Sequence, residues 1–109
     1  MATFIHDGKA IDYTPGADVA AGAVVVQDEL IGVARTPIAA HALGSLAVVG
    51  VFDFPKATGG GTAITVGALC YWDAINQRAT TTAEGNKLLG KSVKAAADAD
   101  ETVRIRLSQ

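Results

Sequence analysis

Cysteine, aromatic residues and charge are all scarce in this chain of 109 residues. The single cysteine, Cys70, excludes an internal disulfide and a zinc site built from several cysteines. Its place in the apolar run Leu69-Cys70-Tyr71-Trp72 favours a small buried hydrophobe, and a chain without disulfides suits a reducing compartment. Aromatic residues make up 6% of the chain, so its core must come mainly from Val, Ile, Leu and Ala.

Charged residues make up 18% of the chain, below the usual quarter, and the formal net charge is -2. A nucleic-acid-binding surface needs a basic stripe, whereas the basic residues here are scattered, so we expect no nucleic-acid partner. No apolar run reaches the ~20 residues of a membrane helix, and the first residues lack the pattern of a secretion signal. The sequence therefore predicts a soluble protein with no membrane partner.

Short segments rich in β-forming residues dominate the chain. Residues 23–26, 45–52 and 102–107 are of this kind, and the last alternates apolar and polar residues with the period of a strand. Helical pattern is confined to one or two turns at residues 39–43 and 94–99, where alanines supply helix propensity. We predict an all-β fold, a small β-barrel or β-sandwich with short strands.

The two halves of the chain resemble each other. Residues 19–28 align with residues 64–73. Each stretch begins with apolar residues, continues with Gly-Ala and a predicted strand, and ends at a turn that begins with Asp. Farther along, residues 30–34 resemble residues 88–93. An internal duplication would give two related β units that leave few strand edges open, within one domain spanning residues 1–109. Chance similarity in a chain rich in Ala, Gly and Val is the alternative.

Residues 85–92 match the phosphate-binding pattern G-x-x-x-x-G-K-[ST]. In such a loop Lys91 would contact the β- and γ-phosphates of a nucleotide, and Ser92 would hold Mg²⁺. The loop also needs a buried strand before it and a long helix after it, and the sequence shows neither pattern. We therefore favour a turn at residues 84–86 followed by a strand over residues 88–93.

No catalytic or metal-binding set stands out among the remaining residues. His6 and His41 are too few for a metal site, because nothing fixes their spacing to a carboxylate. Cys70 lies in no motif of a nucleophile paired with a histidine. We predict that the protein is not an enzyme. We expect it to have no catalytic residue and to bind no metal, cofactor or small-molecule substrate.

The few aromatic residues cluster on two predicted strands. Phe52, Phe54 and Pro55 lie on one strand, and Trp72 ends another. One interpretation is that the rings cap an otherwise aliphatic core. The other is that these four residues lie at a subunit interface, where aromatic side chains are enriched.

The chain resembles a family of small tailed-phage and prophage proteins, formerly labelled uncharacterised or predicted phage recombinase, whose members look like capsid decoration (cement) proteins. The resemblance runs from Phe4 to Leu107, and its most specific pieces are a Gly-Val-Phe-x-x-Pro-Lys strand and a Tyr-Trp-Asp turn. The segments that carry it are AGAVVV (21–26), LIGVA (30–34), GVFDFPKA (50–57), VGALCYWD (66–73), GNKLLG (85–90) and VRIRL (103–107).

The resemblance implies a β-barrel-like subunit that forms a homotrimer on the outer surface of a mature phage head. Its partner would be the major capsid protein of a tailed phage, and synthesis would take place in the host cytoplasm. Many copies that bridge neighbouring shell subunits would stabilise the shell, because modest contact energies add by multivalency. The alternative functions are a recombination protein that binds ATP or nucleic acid through Lys91, and a tail or neck subunit.

Residues 1–14 form a candidate arm for contact with the capsid, because apolar and polar residues are mixed there. The candidate contact residues are Thr3, Phe4, Ile5, Ile11 and Tyr13. Such an arm could add a strand to a capsid loop. The alternative is that the segment is an ordinary first strand of the domain.

Overall fold

The computed structural model of the protein describes residues 1–6 and 8–109; residue 7, in the predicted arm, lies outside the described residues. This part of the chain forms nine strands and no helix, which confirms the all-β prediction and the short strands. The stretches with helical pattern, residues 39–43 and 94–99, contain turns instead, and Ala96 in the second stretch forms an isolated bridge. The strands are β1 (Ala10–Tyr13), β2 (Val24–Gln27), β3 (Leu30–Val33), β4 (Gly44–Ala47), β5 (Gly50–Pro55), β6 (Leu69–Asp73), β7 (Arg78–Thr80), β8 (Lys87–Ser92) and β9 (Thr102–Leu107).

Strand positions follow the residue pattern closely, with one division that the pattern did not predict. β9 covers the predicted residues and buries every second side chain, as the alternation indicated. The predicted run 45–52 is two strands, β4 and β5, because the chain bends at residues 48–49. Gly50, next to the bend, has a φ of 131°, a backbone conformation that favours glycine.

The strands form two antiparallel sheets that repeat one order. The four-stranded sheet has the order β1-β4-β3-β2, and the five-stranded sheet has the order β5-β9-β8-β6-β7. Without β7, the strands correspond one for one: β1 with β5, β4 with β9, β3 with β8, and β2 with β6. This shared topology is what the internal duplication predicts, and β7 is an addition in the second half.

The correspondence extends to single hydrogen bonds. Val19 and Ile38 exchange two backbone hydrogen bonds, with N···O distances of 2.8 and 2.9 Å. Ile64 and Ala96 exchange an equivalent pair, both of 2.9 Å. The alignment of residues 19–28 with residues 64–73 places Val19 over Ile64, so sequence and structure give the same register for the repeat.

Contacts divide the chain into two compact units: residues 1–25 with 32–49, and residues 26–31 with 50–109. The core of the first unit contains Ala34, Ile38 and Leu46. The larger core of the second unit contains Ile31, Phe54, Ile64, Cys70, Trp72, Ala79, Leu89, Ala96, Val103, Ile105 and Leu107. That residues 1–109 form one domain stays a prediction, because compact units in one chain can unfold together or separately.

The two edge strands of the five-stranded sheet, β5 and β7, approach each other at one point. There Lys56, which follows β5, forms an isolated parallel bridge with Ala79 of β7. We call this bridge the seam of the sheet. Because the strand order otherwise ends at β5 and β7, the sheet does not close into a barrel.

Candidate interaction surface

The first residues of the chain expose their apolar side chains. Residues 1–6 form no strand or turn. The side chains of Phe4 and Ile5 are 78% and 79% exposed, so neither packs on a core. Thr3 is exposed beside them. Three of the five candidate contact residues are therefore accessible to a partner.

The other two candidate contact residues lie on β1. Ile11 and Tyr13 are half-buried and pack against the core of the first unit. β1 pairs with β4 in antiparallel register, with Ile11 opposite Leu46. The alternative of an ordinary first strand therefore describes residues 10–13. Among the residues that the structure describes, β1 is the edge of its sheet, and its other side carries no neighbouring strand.

The aromatic residues separate into a buried and an exposed group. Phe54 and Trp72 are 2% and 3% exposed, and their ring centroids lie 6.1 Å apart. Phe52 is half-buried with its ring 6.2 Å from that of Phe54, while Pro55 is exposed. Phe54 and Trp72 therefore lie in the core, as the first interpretation of the aromatic residues proposed. A role at a subunit interface stays a prediction, and only Phe52 and Pro55 leave surface for it in this conformation.

Lys56, the last residue of the Gly-Val-Phe-x-x-Pro-Lys piece, is a buried cation held by backbone oxygens. Its side chain is 6% exposed, and Nζ donates to the carbonyl oxygens of Ala57 (2.7 Å) and Asp100 (3.0 Å). Nζ also lies 3.3 Å from Thr62 Oγ1 and 3.5 Å from the carbonyl oxygen of Asp98. This carbonyl cage ties the loop after β5 to the loop before β9. The motif therefore identifies the fold rather than a contact surface.

The residues that match the phosphate-binding pattern form a turn and then strand β8, as the sequence analysis favoured. β8 pairs with β6 on one side and β9 on the other, so its amides bond within the sheet and do not surround an anion. Ser92 is buried, and its Oγ donates to the carbonyl oxygen of Thr65. The geometry of residues 85–92 is not that of a phosphate-binding loop.

A row of four exposed side chains crosses the outer face of the five-stranded sheet. Val51 of β5 lies opposite Arg106 of β9, and Arg106 lies opposite Lys91 of β8. Lys91 in turn lies opposite Leu69 of β6. We call Val51, Arg106, Lys91 and Leu69 the cationic row. The row is not visible in the sequence, because strand pairing brings together residues that are far apart in the chain.

A family model for phage cement proteins matches residues 5–107 of the chain. The chain belongs to the phage cement protein family. The match confirms the resemblance and covers almost the same residues, and it makes the chain a capsid-associated structural protein of a bacteriophage. Searches of the curated proteins and of the solved structures found no match.

Two ionisable groups of this cement protein have shifted pKa values with clear causes. The hydrogen bond from Arg104, with Nε 2.9 Å from Oδ1, holds the pKa of the Asp53 carboxyl below its usual range. Both side chains are about half exposed, so solvent screens the pair. Burial raises the pKa of the Cys70 thiol, which therefore stays protonated at neutral pH. Neither group lies in an arrangement typical of catalysis.

The described part of the cement protein has neither a metal-binding cluster nor a membrane-spanning helix. Across residues 1–6 and 8–109, no three His, Cys, Asp or Glu residues are grouped so that they could hold a metal ion. In the same part of the chain, no helix is long and apolar enough to cross a membrane.

Proposed function

We propose that this cement protein binds the outer surface of the mature head of a tailed phage and stabilises the shell. Its partner is the major capsid protein, and it acts as a homotrimer after synthesis in the host cytoplasm. The role needs no catalysis, nucleic acid or small molecule. The single buried thiol of Cys70, free of any disulfide, suits synthesis in a reducing compartment.

The exposed apolar pair at the start of the chain is the observation that carries the proposal. Phe4 and Ile5 leave more than three quarters of their side-chain surface in water, although both are large and apolar. Burying such a side chain stabilises a complex by roughly 1.5–3 kcal/mol, before the cost of ordering the segment. Each subunit therefore gains modestly from docking the pair, and many subunits on one shell add these gains by multivalency.

The edge strand that follows this segment supports the same surface. β1 lies at the end of its sheet, and the backbone on its free side is able to pair with a strand of a capsid loop. A segment the length of residues 1–6 spans at most about 20 Å when extended. An extended segment of that length lets Phe4 and Ile5 dock on the shell beside the edge of β1.

The test is co-sedimentation of the purified protein with expanded phage heads that lack it. The wild-type protein should pellet with the heads and raise the temperature at which they release DNA. The double variant Phe4→Ser/Ile5→Ser should bind at least about tenfold more weakly, because it loses the apolar contacts. Its unfolding midpoint should equal that of the wild type, since neither side chain packs on a core.

A matched control removes two other exposed apolar side chains. Leu43 and Ile75 are 72% and 93% exposed, and Leu43→Ser/Ile75→Ser should leave head binding unchanged. Equal binding by Phe4→Ser/Ile5→Ser and the wild type would show that the segment does not contact the shell. A wild-type protein that ignores heads and attaches to purified tails would overturn the capsid role.

The homotrimer has its own measurement. Light scattering should give a solution mass of three chains, because a closed threefold ring matches threefold sites on an icosahedral shell. A monomer or a dimer in solution and on the head would contradict the trimer but leave the capsid role in place.

A further inference from the structure

The cationic row places two like charges directly opposite each other. Lys91 and Arg106 are cross-strand partners on the exposed face of β8 and β9. Side chains at such positions have Cβ atoms about 4.5–5.5 Å apart, and like charges there destabilise the sheet. The pairing therefore destabilises the isolated subunit. Residues selected for stability alone would not place two like charges there.

Neighbouring cations on the same part of the sheet are neutralised, whereas these two are not. Arg104, two residues before Arg106, lies opposite Asp53 and forms an ion pair with it. Lys87, at the start of β8, forms an ion pair with Glu29. Within residues 1–6 and 8–109, Lys91 and Arg106 have no carboxylate within 4.0 Å.

Apolar side chains and a groove complete this surface. Val51 and Leu69, at the two ends of the row, are 55% and 48% exposed. A groove of about 260 Å³ lies between Leu69 and the two cations, and Leu88, Gly90 and Ser108 also line it. The row thus offers positive charge at its centre, apolar contact at its ends and a recess large enough for a side chain.

We propose that the cationic row is a docking surface for an acidic segment of the major capsid protein, one with a carboxylate flanked by apolar residues. Charge complementarity carries the choice, because a carboxylate placed between Lys91 and Arg106 relieves their repulsion and bonds to both. Arginine and lysine donate strong charge-assisted hydrogen bonds to such a group. This proposal rests on the proposed function and names a second contact surface for it.

Nucleic acid is a poorer fit to the row. Sequence-independent binding to DNA needs many phosphate contacts, whereas this row has two cations. The ends of the row are apolar, and the whole chain carries a net charge of -2. A protein segment that combines acidic and apolar side chains satisfies all four positions.

The test compares Lys91→Gln/Arg106→Gln with a matched control, Arg35→Gln/Lys94→Gln. The control removes one arginine and one lysine that are exposed outside both the row and the arm, so both variants have the same composition and net charge. Binding to expanded heads is measured by co-sedimentation at low and high salt, and solution mass by light scattering. We expect the row variant to bind at least about tenfold more weakly and to lose most of the salt dependence, and the control to behave as the wild type.

The outcomes separate this proposal from the proposed function. If the wild type binds heads and the row variant binds equally well, the docking surface is wrong and the capsid role stands. If the wild type does not bind heads, both are wrong. A row variant with a smaller solution mass would make the row a contact between copies, and wild-type pelleting with duplex DNA that depends on Lys91 and Arg106 would make it a nucleic-acid surface; either result overturns the proposal.

Discussion

Asp18 and Asp98 make the same hydrogen bond from opposite strands of the repeated bridge. Asp18 precedes the bridge residue of the first half, and its Oδ1 accepts from the amide of Ala40 at 2.8 Å. Asp98 follows the bridge of the second half by two residues, and its Oδ1 accepts from the amide of Ala63 at 2.8 Å. The aspartate is on the first side of the bridge in one half and on the second side in the other half, and the amide donor changes sides with it. The two aspartates do not align with each other, yet both halves keep a hydrogen bond between the same two positions.

Asp98 should contribute more to stability than Asp18, because it also accepts from the amide of Thr62 at 3.1 Å. We expect Asp98→Ala to lower the free energy of unfolding by about 1 kcal/mol and Asp18→Ala by about half as much, since these hydrogen bonds are exposed and water replaces part of each lost contact. Urea denaturation measures both. Asp98→Asn, which keeps an acceptor oxygen, should recover most of the loss. If all three variants were as stable as the wild type, the two aspartates would have no such role.

The carbonyl cage gives Lys56 a structural role that a substitution can isolate. Lys56→Met keeps most of the buried stem but removes the ammonium group, so the carbonyls of Ala57 and Asp100 lose a charged donor. We expect a loss of about 1.5–3 kcal/mol in the free energy of unfolding, measured by urea denaturation. Lys94→Met, at an exposed lysine, serves as the control and should change stability little. A Lys56→Met protein as stable as the wild type would show that the cage is dispensable.

Gly32 and Gly90 occupy equivalent positions in the two halves and should respond differently to alanine. A Cβ at Gly90 would lie 2.0 Å from the backbone oxygen of Arg106, whereas one at Gly32 would lie 2.7 Å from Cβ of Leu46. Overpacking against a side chain costs roughly 1–3 kcal/mol, and a backbone oxygen can move less than a side chain, so Gly90→Ala should cost more. Thermal unfolding of both variants, with Gly16→Ala as a control in open space, measures the difference. Gly90→Ala as stable as the control would contradict the close approach of β8 and β9.

The ion pair between Asp53 and Arg104 predicts a pH dependence. Because the pKa of Asp53 is lower in the folded state than in the unfolded state, the pair stabilises the fold above the unfolded pKa. This contribution is lost as the pH falls through the folded pKa. Asp53→Asn should therefore be less stable than the wild type at pH 7, by about a few tenths of a kcal/mol for a half-exposed pair, and equally stable at low pH. Urea titrations at both pH values test this. A difference in the free energy of unfolding between the two proteins that grows as the pH falls would contradict the prediction.

The sequence predicted much of the fold because its signals are local. The alternation of residues 102–107 predicted β9, and the alignment of residues 19–28 with 64–73 predicted the repeat before any strand pairing was known. The absence of a buried-strand pattern before residue 85 and of a helical pattern after Lys91 argued against a phosphate-binding loop. Each of these inferences depends on residues close together in the chain, or on a comparison of two such stretches.

The candidate surface was only partly predictable, because it depends on pairings between distant residues. Phe4 and Ile5 could be proposed as contacts from their mixed surroundings, but β1 pairing with β4 was needed to show that Ile11 packs on a core. Lys91 and Arg106 become neighbours only through the register of β8 and β9. The burial of Lys56 depends on carbonyl groups more than 40 residues away, which no local pattern indicates.

The seam of the five-stranded sheet has a mechanical consequence for the proposed role in stabilising a phage head. β5 and β9 are joined by six consecutive residue pairs, which share a load applied along the strands, whereas β5 and β7 meet at the single bridge between Lys56 and Ala79. A pull that separates the edge strands therefore acts on one bridge, and one of its two residues is the buried Lys56. We expect the sheet to yield at this point first under tension, while the strand pairs in the rest of the sheet stay intact.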